Sequence, residues 1–273
     1  MFIVGSIVEV EASECGSVQK ESVMKRTWIC RSVAATLAVA MCWAAFSSEG
    51  SAPAKPDAPP APSEVALKQA AAAGRHLFIL FFDEDNDATR AVRKTLDEVL
   101  AKLPDVAQQI MVKKGAPEES ALLTKYGIDT APMPLVLVLA PNGAVTLGCL
   151  GRNISEEKLR TGIASPAQQQ CLKALQDKKV VVICACAKGV ADDAPMLKGV
   201  REFKADPKYA EAEVVRLDPT DNVEAAFVKQ LNIDPKVEMT TVMLAPPRTL
   251  LKQFTGEVTK VALVNALKSA APG

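Results

Sequence analysis

The sequence has a single histidine, His76, among 273 residues, and this scarcity excludes much metal chemistry. A zinc site built from several histidines and an iron site with two histidines are both ruled out. The chain also has no excess of charge of either sign, because 32 basic residues balance 32 acidic ones. A dedicated nucleic-acid-binding protein normally carries a basic excess, so we expect no nucleic-acid partner. The sequence contains neither a glycine-rich phosphate loop nor a nucleophile elbow.

The amino-terminal region has the pattern of an export signal. Residues 24–26 (MKR) precede a mostly apolar run at 32–46, and small and polar residues follow it. This order predicts a secretory signal peptide over residues 24–48. We therefore expect an exported protein, in the periplasm, outside the cell or anchored facing outward. Residues 1–23 would then be an over-extension of the reading frame upstream of the true start.

Two alternatives for this region stay open, and a linker follows it. Residues 27–46 are long enough to act as an uncleaved membrane anchor. A lipoprotein signal would use Cys42, although Met41 is a poor residue before a lipidated cysteine. Residues 49–63 are rich in proline and alanine, which predicts an extended linker without helix or sheet. We expect the folded part to begin near Glu64.

The remaining sequence repeats itself with an offset of 105 residues. Residues 123–129 (LTKYGID) are echoed by 228–234 (VKQLNID), and residues 138–141 (VLAP) are echoed by 243–246 (MLAP). Agreement at separated places predicts two tandem domains, which we place at residues 64–165 and 166–273. A hydrophobic content of 49% is ample for a packed core in each of them.

Both repeats predict the same order of elements, αβαβαββα. The strands expected in the first repeat are 76–82, 109–114, 135–140 and 145–150, and those in the second are 179–185, 212–217, 240–245 and 249–254. Helices are expected at 64–75 and 166–177, between the strands, and from near Ser155 and Thr259 to the end of each repeat. The β-α-β crossover requires parallel strands and the final hairpin antiparallel ones, so we predict an α/β fold with a mixed central sheet in each domain.

One segment carries a family resemblance. Residues 126–143 (YGIDTAPMPLVLVLAPNG) run from a helix end through prolines into a strand and a Pro-Asn-Gly turn. With the element order, this segment resembles the thioredoxin fold, and the resemblance covers both repeats. It implies two tandem thioredoxin-like domains and a cis-proline at Pro134, preceded by Met133, with Pro132 as the competing position. The second repeat departs from this pattern, since Met239 lies 105 residues after Pro134.

The resemblance also implies a Cys-x-x-Cys motif at the start of the helix that follows the first core strand, where the helix dipole lowers a thiol pKa. In the first repeat Asn86 and Thr89 stand at these two positions, so that repeat has no thiol–disulfide mechanism. The second repeat has Cys184 and Cys186, two residues apart on one face of a strand and ahead of the helix. Three interpretations stay open: buried small side chains, a redox-active or disulfide-forming pair, and a soft-metal site.

Two further features lead to expectations. Cys149 and Cys171 flank the junction of the repeats and are candidates for a disulfide in an oxidising compartment. The acidic run 83–87 (DEDND) partly resembles a calcium loop but lacks the glycine and the final acid that such a loop needs. We therefore expect a solvated loop whose Asp87 caps the next helix, and neither a metal ion nor a cofactor.

The functional expectation rests on the resemblance. Thioredoxin-like domains without active cysteines, such as the non-catalytic domains of protein disulfide isomerases, hold peptides or proteins beside the cis-proline. This implies a redox-inactive binding or scaffolding module with a protein or peptide partner. The implied contact residues are Asp83, Asp85, Asn86, Asp87, Thr89, Met133 and Pro134. The alternatives are a divergent thiol–disulfide oxidoreductase that uses Cys184 and Cys186, and a structural envelope component. The oligomeric state stays open.

Overall fold

Two four-stranded sheets, one in each half of the folded chain, form the architecture. The computed structural model describes residues 60–270. The first half consists of α1 (Pro62–Ala72), β1 (His76–Phe82), α2 (Asp87–Leu100), β2 (Ala107–Lys113), α3 (Ser120–Tyr126), β3 (Leu135–Leu139), β4 (Val145–Leu150) and α4 (Glu156–Arg160). Its strand order is β2-β1-β3-β4, with β1 parallel to β2 and antiparallel to β3, and β3 antiparallel to β4.

The second half repeats this arrangement. Its elements are α5 (Pro166–Gln176), β5 (Val181–Cys186), α6 (Lys198–Ala205), β6 (Glu213–Leu217), α7 (Ala225–Gln230), β7 (Met239–Ala245), β8 (Thr249–Thr255) and α8 (Lys260–Ala270). The strand order is β6-β5-β7-β8, with the same pattern of parallel and antiparallel neighbours. The α/β class with mixed sheets flanked by helices is confirmed.

The peptide bond between Met133 and Pro134 is cis, so Pro134, and not Pro132, is the cis-proline that the resemblance implied. A second cis bond, which was not predicted, joins Pro246 and Pro247 in the turn between β7 and β8. Met239, which corresponds to Pro134, is the first residue of β7.

Helix α1 starts earlier than the sequence suggested. It begins at Pro62, inside the segment predicted as a linker, and Ser63 is buried. Proline is tolerated in the first turn of a helix, because the amide hydrogen that it lacks would have no partner within the helix there. In the described part of the chain, no helix combines the length and apolarity that crossing a membrane requires. The predicted over-extension (1–23), signal peptide (24–48), anchor (27–46) and Cys42 lie outside the described residues.

Alternate residues of β1 face two different apolar layers. Leu77, Ile79 and Phe81 pack with residues of α3, and Phe78 and Leu80 pack with residues of α2 and α4. A strand buried on both faces needs a continuous apolar run, which is what residues 77–82 supply. Burying one large apolar side chain contributes about 1.5–3 kcal/mol, so the central strand anchors the first half.

A buried glutamate holds the first helix of each half in the same way. In the first half, Ser63 donates its N–H to Glu119 Oε1 at 3.1 Å and its hydroxyl to Glu119 Oε2. In the second half, Glu224 Oε1 accepts from the Ala167 N–H at 2.9 Å and its Oε2 accepts from the Ser165 hydroxyl. The two glutamates lie 105 residues apart, so this contact shares the offset of the sequence repeat.

Helix α5 connects the halves. The Gln176 side chain accepts from the Val145 N–H at 2.9 Å and donates to the Val145 carbonyl at 2.7 Å. Leu172 packs with Ala140 and Ala144 at the turn between β3 and β4. The amide of Gln176 thereby occupies the free edge of β4, and both halves belong to one compact unit.

Candidate functional site

The loop after β1 and the cis-proline meet at one edge of the first sheet. Because β1 and β3 are antiparallel and pair Phe81 with Leu135, the loop that starts at Asp83 lies beside Met133 and Pro134. The structure thus brings together the two segments that the resemblance implied. We call the surface formed by residues 83–87 and 130–134 the cis-proline edge.

Lys114 belongs to the same edge and was missed from the sequence. Its N–H donates to the Phe82 carbonyl at 2.8 Å, and its Nζ donates to the Ala131 carbonyl at 3.2 Å. The carboxyl ends of parallel neighbours such as β1 and β2 meet at one edge of a sheet. The lysine pair at the carboxyl end of the predicted second strand was therefore the signal that could have identified Lys114.

Asn86, and not Asp87, caps α2. The Asn86 Oδ1 accepts the N–H of Thr89 at 3.0 Å, as a residue just ahead of a helix does. Asp87 is the first helical residue and pairs with Arg90 Nη2 at 2.5 Å. The expected cap was therefore wrong by one residue, although the Asp87 carboxylate still lies at the positive end of the helix dipole.

Thr89 is a structural residue of the loop. It is 2% exposed, and its hydroxyl donates to the Glu84 carbonyl at 2.8 Å. The Thr89 side chain therefore fixes the shape of the loop, and the contact role that the resemblance implied for this residue stays a prediction.

The exposed part of the edge is acidic. Residues 83–87 are all exposed, and four of them are carboxylates. Arg93 Nη2 lies 3.3 Å from Asp85 Oδ1, so that carboxylate has a counter-ion, as Asp87 has in Arg90. The carboxylates of Asp83 and Glu84 form no ion pair or hydrogen bond with the other described residues. They leave a local negative charge on a chain without net charge.

The backbone groups of Met133, next to the cis-proline, are available for hydrogen bonds to a ligand. Pro132 is exposed, Met133 is half-buried against the first core, and Pro134 is buried. The Pro134 carbonyl accepts from the Gly151 N–H at 2.9 Å, whereas the N–H and C=O of Met133 have no hydrogen-bond partner among the residues whose side chains the structure describes, 60–151 and 153–269. The edge therefore offers one unused donor and one unused acceptor beside apolar side chains.

The thiols of β5 are buried. Cys184 and Cys186 are 0% and 3% exposed, and Cys186 pairs with Met239 across the sheet. Burial raises the pKa of Cys184 to about 12, and burial also raises the pKa of Cys186. Since the thiolate is the reactive form, both groups are poor nucleophiles at neutral pH. Of the three interpretations, this arrangement favours buried small side chains.

The disulfide expected between Cys149 and Cys171 is absent. Both thiols are free and buried, as are the other two cysteines of the described chain. Cys149 packs between the first sheet and its helices α2 and α4, while Cys171 packs in a core of the second half. The expectation was wrong because residues that flank the junction in sequence point into different cores. Within residues 60–270 no group of three or more His, Cys, Asp or Glu residues could hold a metal ion.

Comparison with known proteins gives similarity of overall structure only. No family model and no curated protein matches the chain. Among solved structures, a domain of the alkylhydroperoxide reductase AhpF from Enterococcus faecalis is 15% identical, covers 75% of this chain and 98% of its own, and has a TM-score of 0.28. Thioredoxin O2 from Arabidopsis thaliana is 16% identical, covers 36% of this chain and 81% of its own, and has a TM-score of 0.30.

A disulphide isomerase from Xylella fastidiosa is 19% identical, with 36% of this chain and 82% of its own covered and a TM-score of 0.29. These identities and TM-scores are too low to show a family, a ligand or an activity.

Proposed function

We propose that the chain is an exported protein of two tandem thioredoxin-like domains, without redox chemistry, that binds an extended peptide or a protein segment. The observation that carries the proposal is the cis-proline edge, where an unused backbone donor and acceptor lie next to two carboxylates without counter-ions. The edge contains no cysteine, and the thiols of β5 are buried, so neither offers a nucleophile.

The chemistry of the edge specifies the peptide. An extended segment can pair with the N–H and C=O of Met133, in the manner of a strand added to a sheet. Side chains that alternate along such a segment would place apolar groups on Pro132 and Met133 and cationic groups near Asp83 and Glu84. The expected ligand is therefore an extended stretch in which basic and apolar residues alternate.

The binding test uses a labelled, capped peptide of alternating lysine and valine, with fluorescence anisotropy as the readout. The double variant Asp83→Asn/Glu84→Gln should weaken binding about fivefold, since each exposed ion pair contributes roughly 0.5 kcal/mol. The control Asp105→Asn/Glu157→Gln removes the same charge from exposed positions elsewhere and should bind as the wild type does.

The proposal fails if both double variants weaken binding equally, because net charge alone would then explain the effect. It also fails if a glutamate–valine peptide binds as well as the lysine–valine peptide. Added salt should weaken the lysine–valine complex, because charges on an exposed surface are screened over roughly 10 Å.

The export part of the proposal rests on residues 24–48. Expression of the full chain followed by cell fractionation should place the protein outside the cytoplasm, with the segment up to about residue 48 removed in a cleaved product. A full-length product in the cytosol would contradict export and leave the binding test unaffected.

A further inference from the structure

The second half contains a cavity of about 470 Å³ between α6, β6 and the loop after β5. Its apolar wall includes Cys184, Val200 and Val214, and its rim includes Arg201, Lys204 and Arg216. Cavities that hold small molecules commonly measure about 300–1,000 Å³ and combine apolar walls with a few polar groups. The cavity has both properties and lies apart from the cis-proline edge, which belongs to the other half.

The two halves differ at the cross-strand pair that lines this cavity. In the first half Leu80 pairs with Met111 across β1 and β2, and both side chains pack against the α2 core. In the second half the corresponding pair is Cys184 with Arg216. A thiol is smaller than a leucine side chain, and the Arg216 guanidinium reaches out to the Val190 carbonyl at 2.8 Å. Cys184 itself is buried in the apolar core beneath α6, so the difference between the halves is that a cation, Arg216, replaces an apolar side chain at the cavity.

The cations of the rim are held in place by backbone carbonyls. Arg201 Nη1 donates to the carbonyls of Asp192 and Ala194 at 2.6 and 2.8 Å, and Lys204 Nζ donates to that of Ala210 at 2.7 Å. Neither Arg201 nor Lys204 pairs with a carboxylate of the described chain. These contacts fix the positions of both positive charges without neutralising them.

Only one carboxylate faces the cavity. Asp192 Oδ1 lies 3.3 Å from Arg216 Nη1, but the Asp192 side chain is 97% exposed. An ion pair with so exposed a partner contributes little, at most about 1 kcal/mol, so a bound anion can replace it. The cavity thus has an excess of positive charge at its rim and apolar atoms behind.

We propose that this cavity binds a small monocarboxylate with a short aliphatic tail. The carboxylate pairs with Arg216, whose planar guanidinium suits a bidentate contact, and Arg201 and Lys204 add attraction. The tail lies against Val214 and Ala205, the apolar lining residues that solvent reaches. This inference is independent of peptide binding at the cis-proline edge, and either can fail without the other.

The test titrates the purified chain with hexanoate and follows backbone amide shifts by NMR. Acetate lacks the aliphatic tail, so it measures the contribution of the tail to affinity. 1-Hexanol lacks the charge, so it measures the contribution of the carboxylate. Hexanoate should bind at least about tenfold more tightly than either and should shift the amides of Val200, Val214 and Arg216. Absence of saturable shifts at these amides, or equal affinity for the three probes, would overturn the proposal.

Two variants localise the effect. Arg216→Met introduces the residue that the first half has at this position and should weaken hexanoate binding at least about tenfold. Lys229→Met removes the same charge from α7, which packs on the other face of the sheet, and should not change hexanoate binding. Equal affinity of Arg216→Met and Lys229→Met would overturn the assignment. If a variant is unfolded by circular dichroism, the comparison of hexanoate with acetate and 1-hexanol on the wild type decides the question.

Discussion

His76, the lone histidine, is a structural group at the start of β1. It is 3% exposed, and its Nε2 accepts the N–H of Ala164 at 3.1 Å, at the junction between the halves. An accepting Nε2 requires a neutral ring with its proton on Nδ1. Burial lowers the pKa of His76 below its ordinary value of 6.5, so the folded protein keeps the neutral form. The lone histidine therefore ties the segment between α4 and α5 to the start of β1.

Stability should depend on pH through this one group. Well above pH 6.5 the ring is neutral in both the folded and the unfolded chain, and its contribution to stability is intact. As pH falls through 6.5, the unfolded chain binds a proton that the folded chain resists. The free energy of unfolding should therefore fall as pH drops from 7.5 to 5.5, with a slope of at most about 1.4 kcal/mol per pH unit. Denaturant unfolding at several pH values measures the slope.

The matched variant is His76→Gln, whose side-chain oxygen can accept from Ala164 but does not titrate. Its slope over this pH range should be clearly smaller than that of the wild type. Identical slopes would show that His76 is not the titrating group.

Among the elements, the buried glutamates have the clearest structural role. A side chain from the residue just ahead of α3 or α7 satisfies donors at the start of the first helix of the same half. The partners are 56 residues apart for Glu119 and 57 or more for Glu224. No local pattern can reveal such a pair, because a glutamate near a helix start is normally an exposed first-turn residue.

Glu119→Ala should destabilise the protein by about 1–3 kcal/mol, because it leaves the buried donors of Ser63 without a partner. The neighbouring Glu118 is exposed, so Glu118→Ala is the matched control and should change stability by no more than about 0.5 kcal/mol. Denaturant unfolding compares the two variants. If Glu119→Ala costs no more than Glu118→Ala, the glutamate does not support α1.

The element order could be predicted from the sequence because it depends on local patterns. The continuous apolar run of β1 and the spacing of Val92, Leu96 and Val99 in α2 each specify one element. Features that depend on register could not be predicted. The cavity of the second half is lined by a cation because Arg216 lies opposite Cys184, and the Cys149–Cys171 disulfide is absent because the thiols enter different cores. The candidate site was partly predictable: the loop and Pro134 were found, but Lys114 was not.

On the scale of the whole molecule, α5 contacts both halves. It packs on the second sheet through Cys171 and Leu175, and its Gln176 hydrogen-bonds to the edge strand of the first sheet. A shared helix of this kind makes the two sheets one structural unit.

Gln176→Ala should expose the Val145 amide. Hydrogen exchange of the Val145 amide should become about tenfold faster or more. Its N–H loses the hydrogen bond to the Gln176 oxygen, which lowers the free energy of local opening by roughly 1.4 kcal/mol. Gln170→Ala in the same helix is the control, because Gln170 is exposed and its amide bonds only within the second half, to Glu213. Unchanged exchange at Val145 in Gln176→Ala would show that α5 does not protect this edge.

The proposed function requires that the chain perform no thiol chemistry. The most direct test adds the purified chain to insulin and dithiothreitol and measures insulin reduction as the increase in turbidity. With the pKa of Cys184 raised to about 12 and that of Cys186 also raised by burial, the chain should leave the reaction at its uncatalysed rate. An acceleration that disappears in Cys186→Ser would contradict the account and identify a disulfide reductase.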